Sequence, residues 1–309
     1  MDIKKYAHKI TKYISDPDYR FIINANRGKY DSMPDEEFLA RRYKAQLKKP
    51  LDLKNAETFN QKLQWLKLYD RKPEYTEMVD KYAVKKYVAG IIGDEYIIPT
   101  LGVWDDPEKI DFNALPDKFV LKCNHNSGRG MYICRDKNEI TDKKAREIIK
   151  GLKEGLNENY YIYGREWPYK NVKRRVIAEA YLEDGSGSLT DYKVHNFSGR
   201  PEFILVCRGR FSKGGMTEDF YSPDWEKLDL RRPGCPNSSE ILPKPEQLEE
   251  MLSLSARLSE NVPFLRTDFY IAGGKIYFSE LTFYPASGFS GFVPEGWDRV
   301  LGEKLVLPD

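Results

Sequence analysis

The apolar residues in the first third of the chain recur at helical spacing. The pattern runs through residues 38–47, 59–68 and 79–92, and Pro50 and Pro73 interrupt it. Side chains three or four positions apart lie on one side of a helix, so each segment has an apolar face that must be buried. The sequence therefore predicts a helical N-terminal region.

From about Lys118 onward, short apolar runs have the residue types and lengths of β-strands. Helical spacing returns at residues 142–156 and 246–260, and four prolines within 231–245 predict an extended connection. Strand clusters that are separated by helices without strict alternation are typical of the α+β class. The predicted strands are KFVLKC, MYIC, VIAEAYL, DYKVHNF, EFILVC, FLRTDFYI and KIYFSELT.

Composition excludes several classes of protein. The 309 residues are 40% hydrophobic, which is enough for a sizeable core in two or three lobes. The net charge of +2 lacks the basic excess of a dedicated nucleic-acid binder. No apolar stretch reaches 18 residues, so we expect a cytoplasmic protein without a membrane span. The four cysteines and three histidines are scattered, which argues against disulfides and zinc sites.

One predicted hairpin, FVLKCNHNSGRGMYIC, has a polar loop that is rich in glycine. Its first strand reaches Lys122, and its second begins at Met131. Backbone N–H groups of Ser127, Gly128 and Gly130 can contact phosphate oxygens in such a loop, where glycine leaves room for close approach. Lys122 would add positive charge beside them. An ordinary surface hairpin with an exposed lysine explains the same pattern.

A second predicted hairpin, FLRTDFYIAGGKIYFSELT, carries two carboxylates. If its loop is Ala272-Gly273-Gly274, the even-numbered residues of both strands share one face. Two carboxylates on one face repel unless a cation lies between them, and oxygen ligands of this kind suit Mg²⁺. The arginine beside them can stabilise an anionic transition state. The alternative is a salt-bridged surface without metal. The residues on this face are Arg266, Asp268, Glu280 and Thr282.

The segment between these hairpins offers candidate nucleotide contacts. An apolar strand runs through Glu179 into Tyr181 and Leu182. The backbone of such a strand can recognise the edge of adenine, and the carboxylate of Glu179 can accept a hydrogen bond from its exocyclic amine. Asp191 and Lys193 follow on one face of the next strand, within reach of ribose hydroxyls and phosphate. An amphipathic edge strand is the alternative.

Two arginines follow the strand EFILVC. Arg208 and Arg210 can hold a substrate carboxylate through paired hydrogen bonds, or they can be ordinary surface residues. Tyr221 and Trp225, further along, are candidates for stacking on a sugar ring. We include Arg210 among the predicted catalytic residues.

These elements, in this order, resemble the ATP-grasp superfamily. Its pattern is a strand lysine, a glycine-rich loop, a glutamate with apolar neighbours, a ribose-binding acid, and then Arg-x-Asp followed by Glu-x-Asn or Glu-x-Thr. The chain is more closely similar to the ATP-grasp family named for teichuronopeptide biosynthesis, found in surface-polysaccharide gene clusters. The matching stretches lie between residue 59 and the C-terminus and include KLQWLKLYDRKPEYTEMVDKYAVKKYV, LGVWDD, YYIYGREWPYKNV, DYKVHNF and ELTFYPASGF.

The resemblance implies a fold in which two α+β lobes clasp ATP. We place a helical N-terminal region at residues 1–75, a first lobe at 76–182 and a second lobe with the metal site at 183–309. Two departures from the family pattern stand out. Thr282 occupies a position where many relatives have asparagine, which predicts a weaker metal ligand, and the N-terminal third is helical where many relatives begin with a parallel αβ domain.

The resemblance also implies a mechanism with ATP and Mg²⁺ as cofactors. A carboxylate would receive the γ-phosphoryl group, and an amine would attack the resulting acyl phosphate. In that scheme Asp268 and Glu280 hold the metal, Lys122 and Lys193 neutralise charge, and Arg266 stabilises the tetrahedral oxyanion. His125 would either contact the γ-phosphate or shape the loop.

The expected substrates are a sugar acid and an amino acid, joined during surface-polysaccharide synthesis. One rival is a kinase of the same fold that phosphorylates a sugar hydroxyl. Another is a glycosyltransferase, which usually carries an Asp-x-Asp motif after a strand. The chain has this motif only as Asp16-Pro17-Asp18, in its polar N-terminal segment.

Overall fold

A computed structural model describes residues 3–185, 187–210, 212 and 214–308 of the chain. Residues 1, 2 and 309, which belong to the first and last predicted regions, lie outside the described residues. The α-helices are α1 (Ile3–Ser15), α2 (Pro17–Ala25), α3 (Asp35–Leu47), α4 (Phe59–Tyr69), α5 (Tyr75–Val79), α6 (Ala83–Ile92), α7 (Asp142–Leu156), α8 (Tyr161–Gly164), α9 (Leu248–Ser259) and α10 (Trp297–Lys304).

The strands form two antiparallel sheets. The first has the order β1-β4-β2-β3 and the second has the order β7-β6-β5-β8-β9. Antiparallel sheets combined with separate helices confirm the predicted α+β class. The strands are β1 (Thr100–Trp104), β2 (Phe119–Cys123), β3 (Tyr132–Cys134), β4 (Val176–Ala180), β5 (Asp191–Phe197), β6 (Arg200–Arg208), β7 (Thr217–Tyr221), β8 (Phe264–Ala272) and β9 (Lys275–Thr282).

Each sheet buries its apolar side against helices. The first sheet packs on α7 through a small core that includes Phe119, Leu121 and Leu152. The second sheet shares a larger core with α4, α6 and α9, in which Leu63 and Val88 are fully buried. Helices from the N-terminal third therefore pack directly against the C-terminal sheet. A third core joins α2 and α3.

The predicted helix at residues 79–92 is interrupted. Asp80 lies between α5 and α6, and its Oδ1 accepts hydrogen bonds from the backbone N–H groups of Tyr82 (2.8 Å) and Ala83 (3.3 Å). An aspartate in this position caps the following helix, because it satisfies N–H groups that have no partner inside the helix. The interruption places Lys81 at the break.

The β8–β9 hairpin differs from prediction in its loop. Ala272 pairs with Lys275, so the loop has two residues, Gly273 and Gly274, and both have a positive φ that favours glycine. A β-bulge between Asp268 and the next pair then shifts the register by one residue. The predicted three-residue loop is wrong, but the bulge restores the predicted face.

Candidate active site

A cleft of about 620 Å³ lies between the two sheets. Its walls come from β2, the β2–β3 loop and the end of β4 on one side, and from β5, β6, β8 and β9 on the other. Most of the residues predicted from sequence line this cleft. They are Lys122, Ser127, Gly128, Glu179, Tyr181, Leu182, Asp191, Lys193, Arg210, Arg266, Asp268 and Glu280.

The oxygens of the predicted metal ligands converge on one point. Asp268 lies opposite Glu280, and Arg266 lies opposite Thr282. The Nη2 atom of Arg266 is 2.7 Å from Asp268 Oδ2, 3.1 Å from Glu280 Oε1 and 3.0 Å from Thr282 Oγ1. A single cationic nitrogen therefore contacts all three predicted ligands. Among the described residues, no three His, Cys, Asp or Glu side chains are grouped closely enough to hold a metal by themselves.

Lys193 lies between two carboxylates. Its Nζ is 2.7 Å from Asp191 Oδ2 and also contacts Asp268 Oδ2. Burial alone would lower the pKa of Lys193, but the charges of Asp268 and Asp191 outweigh it and hold the pKa above its usual value. Lys193 is therefore a permanent cation at the floor of the cleft.

Glu280 has a second cationic neighbour, Lys81, which was not predicted from sequence. Lys81 Nζ is 3.2 Å from Glu280 Oε2 and donates a hydrogen bond of 2.9 Å to the carbonyl oxygen of Asn126. Burial alone would raise the pKa of Glu280, but Lys81, Arg266 and Lys193 outweigh it and hold the pKa below its usual value. Lys81 thus links the glycine-rich loop to strand β9.

Glu179 is held by two lysines. Lys122 Nζ is 2.6 Å from its Oε2, and Lys85 Nζ is 2.8 Å from its Oε1. Burial alone would raise the pKa of Glu179, but the two lysines outweigh it and lower the pKa. Lys85 also donates hydrogen bonds to the carbonyl oxygen of Ile98 (2.7 Å) and to Thr100 Oγ1 (2.9 Å). Protein oxygens therefore occupy its ammonium group. Lys122 lines the cleft and has the freer ammonium group.

The structure divides the predicted loop residues into two groups. Ser127 and Gly128 face the cleft. His125 is buried, and its Nε2 lies 3.1 Å from the carbonyl oxygen of Glu158. Burial lowers the pKa of His125 to about 4, so the ring is neutral near pH 7. A Cβ on Gly130 would lie 3.0 Å from the Cα of Gly155 in α7. His125 and Gly130 therefore shape the loop rather than face the cleft.

The predicted pair of arginines is separated. Arg210 faces the cleft and is 3.2 Å from Asp191 Oδ2. Arg208 is not among the residues that line it and donates to Ser238 Oγ at 3.0 Å, so of the two interpretations left open for the pair, the structure favours a surface role for Arg208. Side chains two positions apart on a strand point to the same face, but β6 ends at Arg208 and the chain turns before Arg210, so the alternation does not extend to Arg210. Arg232, which was not predicted, lines the cleft and is bound to Glu218.

The aromatic residues proposed for sugar stacking lie elsewhere. Tyr221 is fully buried, and its ring stacks on Trp225 at 4.4 Å between ring centres. Trp225 Nε1 donates to the carbonyl oxygen of Leu242, and the backbone N–H of Leu242 donates to Tyr221 Oη. The stacking role is therefore wrong, because both rings belong to the core.

The lysines around Glu179 give a matched pair of variants. Removing the side chain of Lys122 is expected to raise the ATP concentration needed for half-maximal turnover at least about tenfold, since a hydrogen bond to a charged group contributes roughly 1.5–3 kcal/mol. Lys85→Ala should act mainly on stability, because its partners are protein oxygens. Initial rates of ADP release against ATP concentration, beside urea denaturation of both variants, measure the difference. An unchanged ATP requirement in Lys122→Ala would contradict the assignment.

Comparison with known proteins gives a family and a set of similar structures. Residues 61–306 match the model of a family described as TupA-like ATP-grasp. No curated protein matches the chain. Similar structures include D-alanine–D-alanine ligase from Bacillus anthracis complexed with ATP, with 18% identity, a TM-score of 0.38 and coverage of 66% of this chain and 54% of that one.

Two further structures have comparable similarity. The Helicobacter pylori D-alanine–D-alanine ligase has 16% identity and a TM-score of 0.42, with coverage of 82% of this chain and 70% of that one. The ATP-grasp ligase PsnB, complexed with a precursor variant, Mg and ADP, has 12% identity and a TM-score of 0.44, with coverage of 90% and 72%. The chain spans about half the length of the Bacillus anthracis ligase that it matches.

Proposed function

Because the chain belongs to the TupA-like ATP-grasp family, we propose that it is an ATP- and Mg²⁺-dependent ligase that joins a carboxylate to an amine and releases ADP. The family match confirms the resemblance drawn from the sequence. The observation that carries the proposal is the convergence of three oxygen ligands on Arg266 Nη2, in the cleft that also contains Lys122 and Lys193.

The residues on the first sheet suit the nucleotide. Lys122 and the backbone of Ser127 and Gly128 would bind its phosphates. Glu179, with the chain at Tyr181 and Leu182, would bind the adenine. Asp191, across the cleft, would accept hydrogen bonds from ribose hydroxyls. All of these residues line one continuous cavity, which supports a single nucleotide position between the sheets.

The ligand set suits Mg²⁺. Asp268 and Glu280 are hard oxygen donors that already share a cationic partner, and Thr282 adds a neutral oxygen. Magnesium bound there would neutralise phosphate charge. Arg266 would then be free to turn toward the reacting carboxyl group, where its guanidinium can stabilise a developing oxyanion. Lys193 would neutralise charge on the phosphoryl group that is transferred.

The acceptor side of the cleft is cationic. Arg210 and Arg232 face it, and each is partly neutralised by a carboxylate, Asp191 or Glu218. A substrate carboxylate could exchange with these internal partners. We assign the acid to a sugar acid and the amine to an amino acid, joined by a cytoplasmic enzyme of surface-polysaccharide synthesis. The motive for this choice is the resemblance of the sequence to the ATP-grasp family named for teichuronopeptide biosynthesis.

Hydroxylamine trapping tests the reaction class. The protein is incubated with ATP, Mg²⁺, hydroxylamine and one candidate acid at a time, with uronic acids and amino acids tested separately. We expect ADP and a hydroxamate of one acid, because hydroxylamine intercepts an acyl phosphate. The identity of the hydroxamate shows which partner is activated.

Two results would contradict the proposal. Stoichiometric AMP and pyrophosphate would indicate adenylation in place of acyl phosphate formation. A phosphorylated sugar without a hydroxamate would favour the kinase alternative. Both aspartates of the Asp-x-Asp motif have structural partners, which argues against the glycosyltransferase alternative. Asp16 caps α2 by accepting hydrogen bonds from the N–H groups of Asp18 and Tyr19, and Asp18 pairs with Lys48.

A further inference from the structure

Helix α1 has an apolar side that the described part of the chain leaves open to solvent. Ile10 and Ile14, one helical turn apart, are 46% and 69% exposed. Tyr13, on the same side, is half-buried because its hydroxyl donates to Asn24 Oδ1 at 2.8 Å. An ordinary surface helix turns its isoleucines inward, so this helix has an apolar surface without a place in the core.

The rest of α1 is basic. Its sequence, IKKYAHKITKYIS, contains four lysines and no acidic residue. The side chains of Lys9 and Lys12 are exposed, and Lys12 lies on the opposite side of the helix from Ile10 and Ile14. Four positive charges on this helix exceed the net charge of +2 of the whole chain, so the remainder carries a net negative charge. A negatively charged surface would therefore attract the protein in the orientation that turns α1 toward that surface.

The helix is firmly joined to the body at its C-terminal end. Arg20 donates hydrogen bonds to the carbonyl oxygens of Ile14 (2.7 Å) and Tyr13 (3.1 Å), and Lys12 lies over the ring of Tyr19, 4.9 Å from its centre. These contacts hold α1 against α2 and leave the side chains of Lys9, Ile10 and Ile14 exposed. The exposed side of α1 therefore has a fixed position on the folded protein.

We propose that α1 binds the surface of a lipid bilayer that contains anionic lipids. The isoleucines would enter the boundary between headgroups and acyl chains while the lysines contact the headgroups. At thirteen residues the helix is about 20 Å long, and none of the helices within the described ranges could span a membrane, so it lies along the surface. Nucleic acid is a less suitable anionic partner, because its binding is dominated by phosphate contacts, to which exposed isoleucines do not contribute.

Vesicle co-sedimentation of the full chain tests this surface. Vesicles contain either phosphatidylcholine alone or equal parts of phosphatidylcholine and phosphatidylglycerol. The native chain is expected to bind the anionic vesicles only, and to bind them less as salt concentration rises. The double variant Ile10→Asp/Ile14→Asp should bind at least about tenfold more weakly, because it loses apolar burial and adds negative charge.

Matched control variants separate the effect of substitutions in α1 from the general effect of placing acidic residues on the protein surface. Ile241 is 77% exposed outside α1, so Ile241→Asp should bind vesicles as the native chain does. Lys9→Glu/Lys12→Glu should weaken binding, whereas Lys143→Glu/Lys150→Glu, on exposed positions of α7, should change it much less. Circular dichroism and urea denaturation check that each variant is folded.

Three outcomes would overturn the proposal. The first is that the native chain does not co-sediment with anionic vesicles. The second is equal loss of binding in Ile10→Asp/Ile14→Asp and in Ile241→Asp. The third is a native dimer, seen by sedimentation velocity, that becomes monomeric in Ile10→Asp/Ile14→Asp without any vesicle binding, since α1 would then be a contact between two copies. Each result is independent of whether the protein is a ligase.

Discussion

Glu280→Gln is expected to lower ATP-dependent turnover at least about a hundredfold, because a neutral amide replaces one of the two carboxylates that would hold the metal. Asp268→Asn should lower it as strongly. Thr282→Ala should have a milder effect, since a hydroxyl is a weaker ligand. Initial rates of ADP release, measured over a series of Mg²⁺ concentrations, give the comparison.

The stabilities of the same variants help to separate metal binding from folding. Asp268 is fully buried and accepts hydrogen bonds from Arg266 and Lys193, so Asp268→Asn leaves buried cations with less counter-charge and should also destabilise the fold. Glu280 is more exposed, and its substitution should leave the urea midpoint closer to that of the native protein. Glu280→Gln is therefore the cleaner test.

A control and a contrary result complete this experiment. Glu154→Gln makes the same chemical change at an exposed position of α7 and should retain native turnover. If Glu280→Gln also retained native turnover at limiting Mg²⁺, Glu280 would not be a metal ligand. The convergence of oxygens on Arg266 would then be a structural ion-pair network, which is the alternative that the sequence left open.

Local alternation was enough to predict, within each strand of the β8–β9 hairpin, which predicted site residues share a face. The two-residue period puts Arg266 with Asp268 on one strand and Glu280 with Thr282 on the other, and the four side chains do lie together. The prediction held although the loop was wrong, because the bulge between Asp268 and Phe269 compensates for the shorter loop. A bulge depends on packing against neighbouring strands, which a single sequence does not reveal. The functional roles of these residues stay predictions.

Contacts between distant segments were missed for a different reason. Lys81 reaches Glu280 across about two hundred positions, and Lys85 reaches Glu179 from α6. Helical periodicity predicts which helix face is apolar, but it gives no partner for a lysine at the edge of that face. The one local signal was the Asp80–Lys81 pair, since an aspartate before a helical segment indicates a cap and hence a break. Such a break takes the neighbouring lysine out of the helix.

Lys193→Met is expected to lower the free energy of unfolding by about 3 kcal/mol at neutral pH, because two buried carboxylates lose a cation that both of them contact. Asp191 would retain Arg210, and Asp268 would retain Arg266, but the cation shared by the two acids would be lost. Urea denaturation measures the change. Lys150→Met, at an exposed position of α7, is the matched control and should be nearly neutral.

The pH dependence of the stability lost in Lys193→Met shows whether Lys193 stabilises the protein through its charge or through the packing of its side chain. Burial raises the pKa of Asp268 while Lys193 lowers it, so without Lys193 this pKa should rise further and the variant should take up a proton at a higher pH than the native protein does. Protonation removes the unpaired charge, and the stability difference should therefore narrow as pH falls toward about 4, the usual range of carboxyl groups. A difference that stayed constant from neutral to acid pH would mean that the lysine matters for its packed side chain. Equal stability of Lys193→Met and the native protein would mean that Arg210 and Arg266 alone neutralise the two acids.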